Sequence, residues 1–191
     1  MSSAAPEITL VRHGQTEWSR TARHTGRTDV PLDDAGREAA RALAARLDPA
    51  SSFGRVLVSP LARARETCAL AGFGERAEVE PALVEWNYGD YEGMKTVDIR
   101  ASRPDWNVFA HGCPNGERAD DVGRRVDPIV EALAASASRA IVFAHGHVLR
   151  VLAARWVGLP PDAARCFFFD TARVSVLGWE RERRVIRLWN A

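Results

Sequence analysis

Three short clusters in this sequence carry side chains suited to gripping an anion and moving a group: Arg12-His13-Gly14, Ser59-Pro60 with Arg63 close behind, and His145-Gly146-His147. Arginine can hold a phosphate or carboxylate through two parallel hydrogen bonds, which lysine cannot. Histidine can act as a nucleophile or carry a proton near neutral pH. No neighbouring run offers an obvious carboxylate partner for either arginine. Unpaired buried positive charge is costly, so these residues, once brought together, are expected to surround an anion. His145 and His147 also read as an H-x-H metal pair. No carboxylate or cysteine stands at a matching spacing, so no metal site is expected. The glycines form neither G-x-G-x-x-G nor a P-loop, and nucleotide binding has no support.

A parallel sheet would bring such distant clusters together. Ile8-Thr9-Leu10-Val11 is a β-branched run that stops at a charged residue, and reads as a buried strand. Arg55-Val56-Leu57-Val58 reads as a second. Ala140-Ile141-Val142-Phe143-Ala144 is continuously apolar, as expected of a central strand covered on both faces. Helical segments alternate with these runs. Asp33-Asp34 opens one that continues to about Leu47, with Leu43 and Leu47 on one face. Ser59-Pro60 reads as the N-cap and first position of a helix ending at Gly72. Val122, Val126, Ile129, Val130 and Leu133 keep helical spacing, and Val148 to Val157 forms another helix. Two late strands, near Arg173 to Trp179 and Val185 to Trp189, read as a hairpin. Between Pro81 and Asn115 the pattern is weak, and a loop-rich excursion with one short helix is expected.

The alternation predicts an α/β fold, a three-layer α/β/α sandwich around a mostly parallel sheet. Ligands of such sheets bind beyond the carboxyl ends of the strands, where all three clusters fall. Helix starts after Ser59 and near His147 would add backbone N–H groups and positive dipole ends there.

Length and charge set limits on the rest. With 191 residues, the chain is expected to form one domain over 1–191, with the excursion at 81–116. A net charge of +1 argues against a nucleic-acid binder, although 25 of the 26 basic residues are arginine and Lys95 stands alone. Cys68, Cys113 and Cys166 are odd in number and far apart, so reduced thiols and a cytoplasmic location are expected. Met1 to Glu7 has neither the basic nor the apolar region of a signal peptide, and no apolar run is long enough for a membrane span.

Leu10-Val11-Arg12-His13-Gly14-Gln15-Thr16 resembles the signature of the histidine phosphatase superfamily, whose fold is phosphoglycerate-mutase-like. The likeness continues through His24-Thr25-Gly26-Arg27-Thr28, Ser59-Pro60-Leu61-Ala62-Arg63, Leu83-Val84-Glu85-Trp86-Asn87-Tyr88-Gly89 and Phe143-Ala144-His145-Gly146-His147. These blocks keep the family's order over nearly the whole chain.

The resemblance implies roles. His13 would be the nucleophile that forms a phosphohistidine, with Arg12, Arg63 and His145 holding the equatorial oxygens. Glu85 would protonate the leaving oxygen and then activate water. Without the family, Glu85 reads as a surface carboxylate. Thr25 and Gly26 match a phosphate-contacting loop, and Ser19 and Tyr88 match positions facing the substrate. Gln15, Ser59 and Gly146 complete the expected site. His24, His111 and His147 are expected in structural or wall positions. Trp86, Tyr91 and Trp106 read equally as packing or as walls.

No cofactor is implied, and the expected partner is a small phosphorylated metabolite. The family also contains cofactor-dependent phosphoglycerate mutases, the alternative reading, and non-catalytic relatives, a further one. The mutases carry a long insertion with an Arg-Arg pair after the Tyr-Gly block. Between Gly93 and Gly116 this chain has Arg100 and Arg103 but no such pair, which favours hydrolysis. The Glu85 to Gly93 block also resembles the subgroup of acid phosphatases and sedoheptulose bisphosphatase.

Overall fold

The computed structural model describes residues 6–50 and 53–191, so most of the Met1–Glu7 stretch lies outside the described residues. Among these residues six strands form one sheet: β1 (Ile8–Arg12), β2 (Arg55–Val58), β3 (Ala77–Val79), β4 (Ala140–Ala144), β5 (Val174–Glu180) and β6 (Arg183–Leu188), in the order β3-β2-β4-β1-β5-β6. The first four positions are parallel; β5 and β6 are an antiparallel hairpin on the β1 side. Every residue of β4 is buried, as its unbroken apolar run requires.

Among the described residues seven α-helices accompany the sheet: α1 (Glu17–Arg20), α2 (Asp34–Leu47), α3 (Ala62–Leu70), α4 (Thr96–Ser102), α5 (Val108–His111), α6 (Ala119–Ala134) and α7 (Gly146–Trp156). Alternate residues of the strands feed two cores. Val11, Val56, Ile141 and Phe143 pack with Leu43 of α2 and Cys68 of α3. Leu10, Leu57, Val142 and Ala144 face α6 and α7 together with Trp86 and Trp106 of the excursion. Burying one large apolar side chain contributes about 1.5–3 kcal/mol, so these two layers fix the order of the strands.

Register then fixes the site. Arg12 of β1 pairs with Ala144 of β4, and Val58 of β2 pairs with Phe143. The residues that follow, His13, Ser59 and His145, therefore leave the sheet side by side.

Three expectations need correction. The helix after β2 starts at Ala62, and its N-cap is Leu61 without a side-chain bond. Ser59 is drawn instead into the site, as described below. The excursion holds α4, α5 and two 3₁₀ turns rather than one short helix. The short strand β3 and helix α1 had no counterpart in the sequence reading. Asp33 does cap α2 through Gly36 N–H, and Gly72 takes a positive φ of 86° just past α3. No helix among the described residues is long and apolar enough to cross a membrane.

Candidate active site

His13 sits immediately beyond β1, and its ring is pinned by its own turn. Nδ1 lies 2.7 Å from the Gly14 carbonyl, an acceptor only, so Nδ1 carries the proton and Nε2 keeps a lone pair. Burial first, then the charges of Arg63 and Arg12, hold the His13 pKa well below the usual histidine value. Gly14 can take this turn because its Cα lies against Gly36, where a Cβ would come within 2.4 Å of the Gly36 carbonyl oxygen.

His145 stands behind it, with ring centroids 5.1 Å apart. Arg63 Nε donates to His145 Nδ1 at 3.1 Å, so the proton of the neutral ring is on Nε2, which donates to Ser59 Oγ at 2.7 Å. Burial and the Arg63 charge push the His145 pKa down as well. Arg63 is itself fully buried at the start of α3. Its remaining donors reach the carbonyls of Thr28, Thr25 and Gly26, at 3.0, 3.2 and 2.9 Å. One guanidinium thus holds both a histidine and the 25–28 loop.

Arg12 leaves β1 toward the other side. Its Nη1 donates to the Phe169 carbonyl, and its guanidinium lies over Gly146, where a Cβ would stand 3.2 Å from Nε. Buried Nε itself has no hydrogen-bond partner among the described residues.

Glu85 reaches the site from the excursion. Its Oε1 accepts from the Trp86 and Val148 N–H groups, both at 2.9 Å, and its Oε2 from His147 N–H at 3.0 Å. The carboxylate therefore caps the first turn of α7. The N-terminus of α3 is likewise occupied, since Ala62 N–H donates to both oxygens of Asp29, at 2.9 and 3.0 Å. The expectation that both helix starts add backbone N–H groups at the anion site is corrected in this respect: the N–H groups bonded here are taken by the chain's own carboxylates. Asp29 also lies 3.8 Å from Arg63, so that arginine has a carboxylate neighbour after all.

A cavity of about 360 Å³ opens over these residues. Of the expected residues, Arg12, His13, Ser19, Thr25, Glu85, Tyr88 and Gly146 line it, joined by His24 and His147. Arg63, His145 and Ser59 lie in the buried layer beneath. Gln15 and Gly26 are turned to structural tasks: Gln15 Nε2 donates to Asp33, and Gly26 N–H donates to Glu92 Oε1. His111 is exposed and bonds within its own helix, away from the cavity. Trp86 and Trp106 are packing residues, almost fully buried. A wider groove of about 820 Å³ beside β3 contains none of the histidines.

The nitrogens of His145 and His147 do not converge: His145 engages Arg63 and Ser59, and His147 Nδ1 engages Tyr88 Oη. No three His, Cys, Asp or Glu side chains among the described residues are grouped to hold a metal ion.

The sequence reading missed Arg23, Thr96, Arg150, Phe168 and Phe169, which also line the cavity. Arg150 had a legible signal: it lies four residues after Gly146 on one helix face. Its guanidinium packs over the Phe109 ring at 4.4 Å, and burial lowers its pKa to about 10. Phe168 had none, since nothing local distinguishes it from Phe167 and Phe169.

Comparison with known proteins places the chain in a family. The model of the histidine phosphatase superfamily (branch 1) matches residues 8–191. An acid phosphatase of Mycobacterium tuberculosis is 43% identical over 178 residues, covering 91% of this chain and 86% of that protein. The sedoheptulose 1,7-bisphosphatase of Saccharomyces cerevisiae is 37% identical over 191 residues, covering 83% of this chain and 70% of that one. A solved structure of an open reading frame product from Mycobacterium tuberculosis superposes with a TM-score of 0.92 at 38% identity, over 97% of both chains. The match runs from the first strand to the last residue and takes in all three clusters, and the chain belongs to the histidine phosphatase superfamily, branch 1.

Proposed function

We propose that this chain is a phosphomonoester hydrolase that acts on small phosphorylated metabolites through a phosphohistidine on His13. The observation that carries the reading is the pinned ring: a neutral histidine whose Nε2 lone pair is kept free at a cavity bounded by Arg12.

In the first step His13 Nε2 attacks phosphorus and the ester P–O bond breaks. The leaving oxygen takes a proton from the Glu85 carboxyl. In the second step water attacks the same phosphorus, its proton passes to the Glu85 carboxylate, and the N–P bond breaks to release phosphate. Arg12 faces the transferring group directly, and its unpartnered Nε is a donor suited to a phosphoryl oxygen. Arg63 and His145 act from below. His145 contacts a phosphoryl oxygen when its Nε2–H swings from Ser59 Oγ to the ligand, and Arg63 adds charge beside it. Ser19 and Thr25 line the same cavity.

Mapping the labelled residue tests the proposal. Rapid mixing with p-nitrophenyl phosphate, alkaline quench and peptide mass analysis is expected to find phosphate on His13, and His13→Ala is expected to abolish it. Label on His145 would reverse the two assignments. Efficient interconversion of 3- and 2-phosphoglycerate with little phosphate release would establish a mutase instead.

A further inference from the structure

Tyr88 and His147 form a pair that the mechanism above does not use. The Tyr88 hydroxyl is hydrogen-bonded to His147 Nδ1, and both residues line the cavity. The histidine ring is held on its other sides. Phe109 meets it edge-on with centroids 5.0 Å apart, Trp86 does so at 6.2 Å, and His24 lies at 6.2 Å. His24 in turn packs on Tyr88 at 4.8 Å and bonds Thr96 Oγ1 at 3.1 Å. Such packing removes rotamer freedom before any ligand arrives, which is what preorganised recognition requires.

The direction of the Tyr88–His147 bond follows from counting hydrogens. Tyr88 is almost fully buried, and its hydroxyl has no other acceptor among the described residues. If the imidazole donated, the phenolic hydrogen would be left buried and unmatched, at a real cost. If the phenol donates, its hydrogen is placed, and the remaining hydrogen of the pair falls on His147 Nε2, which is not among the buried side-chain atoms left without a partner. Burial pushes the Tyr88 pKa well above its ordinary value, so the phenol keeps its proton, and burial with Arg150 keeps His147 neutral. The His147 proton then sits on Nε2, a nitrogen without a protein partner among the described residues.

We infer that His147 is a specificity-determining residue for the hydrolysis proposed above: positioned by Tyr88, its Nε2–H reads a hydrogen-bond acceptor oxygen on the leaving part of the substrate. The inference rests on that phosphatase reading and adds the substrate class to it, oxygenated alkyl phosphates in preference to plain ones. Glu85 is bound to the backbone N–H of His147, not to its ring, so side-chain changes leave that bond in place.

The test compares kcat/KM for glycerol 1-phosphate and propyl phosphate, which share chain length and leaving oxygen. p-Nitrophenyl phosphate reports the phosphatase reaction itself. Wild type is expected to favour glycerol 1-phosphate by about three- to tenfold, the range of one neutral hydrogen bond. His147→Leu is expected to bring the ratio near one, His147→Gln, which keeps an N–H, to retain part of it, and Tyr88→Phe to reduce it. Nitrogen-15 NMR of the His147 ring is expected to show protonated Nε2 in wild type and a mixture of tautomers in Tyr88→Phe. Parity or no turnover of the two alkyl esters alongside turnover of the aryl ester overturns the inference alone. So does a preference that survives in His147→Leu, or a wild-type ring protonated on Nδ1. Failure to hydrolyse all three esters overturns the phosphatase reading and this role with it.

Discussion

Arg63 Nε donates to His145 Nδ1 at 3.1 Å, and this contact decides which nitrogen of the second histidine can donate. An arginine has no lone pair to offer, so His145 must present its proton on the far nitrogen, toward Ser59. The same guanidinium ties down three carbonyls of the 25–28 loop. Charge, tautomer and loop position therefore depend on one side chain.

Arg63→Met is expected to damage both stability and turnover. Buried carbonyls left without a donor cost about 1–3 kcal/mol. Loss of the charge beside His145 and of the donor that sets its tautomer is expected to cost about 10²–10³ in rate, the size of one electrostatic contribution to the transition state. Arg63→Lys keeps a charge but cannot span the three carbonyls, so it is expected to recover only a small part of either loss. Urea unfolding and kcat/KM on an aryl phosphate check the two effects separately.

Glu85→Gln is expected to slow phosphorylation by alkyl phosphates far more than by p-nitrophenyl phosphate. An alkoxide needs a proton to leave and a nitrophenolate does not, and general acid catalysis is worth about 10²–10⁴-fold. A stability loss of about 1–2 kcal/mol should accompany it, because an amide NH₂ cannot accept from the first turn of α7. Pre-steady-state rates for both esters decide the matter. Equal losses would remove Glu85 as the acid. Glu92 would be a poor replacement, since its Oε1 is already taken by the N–H groups of Gly26 and Thr28.

Acid should weaken the fold before it silences the nucleophile. His13, His145 and His147 all have pKa values well below 6.5 when folded, and His24 is lowered to about 4 by burial. The unfolded chain binds these protons first, so stability is complete above the unfolded value and falls as pH drops below it. Each such histidine withdraws about 1.4 kcal/mol per pH unit within its window. Denaturant midpoints are expected to decline steadily from about pH 7 to pH 5, while the acid limb of kcat/KM lies below pH 6.5. A flat midpoint over that interval would contradict the buried, neutral histidines.

Gly146→Ala is expected to push on Arg12, since the new Cβ would stand 3.2 Å from both Cζ and Nε. The guanidinium must shift by a few tenths of an ångström, and transition-state geometry tolerates little displacement. A fall in kcat of about tenfold is expected, with little loss of stability. Unchanged kcat would show that Arg12 does not need its place over Gly146.

The strands that position the site were legible because β1, β2 and β4 are short apolar runs ending abruptly at charged or polar residues. Asp33 gave its cap away by standing before a periodic stretch. Ser59 misled for a physical reason: a serine before proline reads as a helix cap, but a buried imidazole 86 residues later competes for its oxygen. Contacts of that separation leave no local trace. Glu85 shows the same limit, since its partners Val148 and His147 lie more than sixty residues away and only family likeness singled it out. Strand β3 escaped because it has three residues, none buried, and so carries no alternation.

Strand β1 precedes the other described strands, yet both of its neighbours in the sheet, β4 and β5, are made only after β2 and β3. Arg12 donates to the Phe169 carbonyl, and the His13 carbonyl accepts from Ala172 N–H, only once the segment before β5 is present. A nascent chain therefore carries its nucleophile, until β4 and β5 have been made, on a strand with two open edges, a template for wrong pairing. Catalytic competence therefore waits for β4 and β5, and a chaperone that shields β1 until they emerge would act at the most vulnerable point of biogenesis.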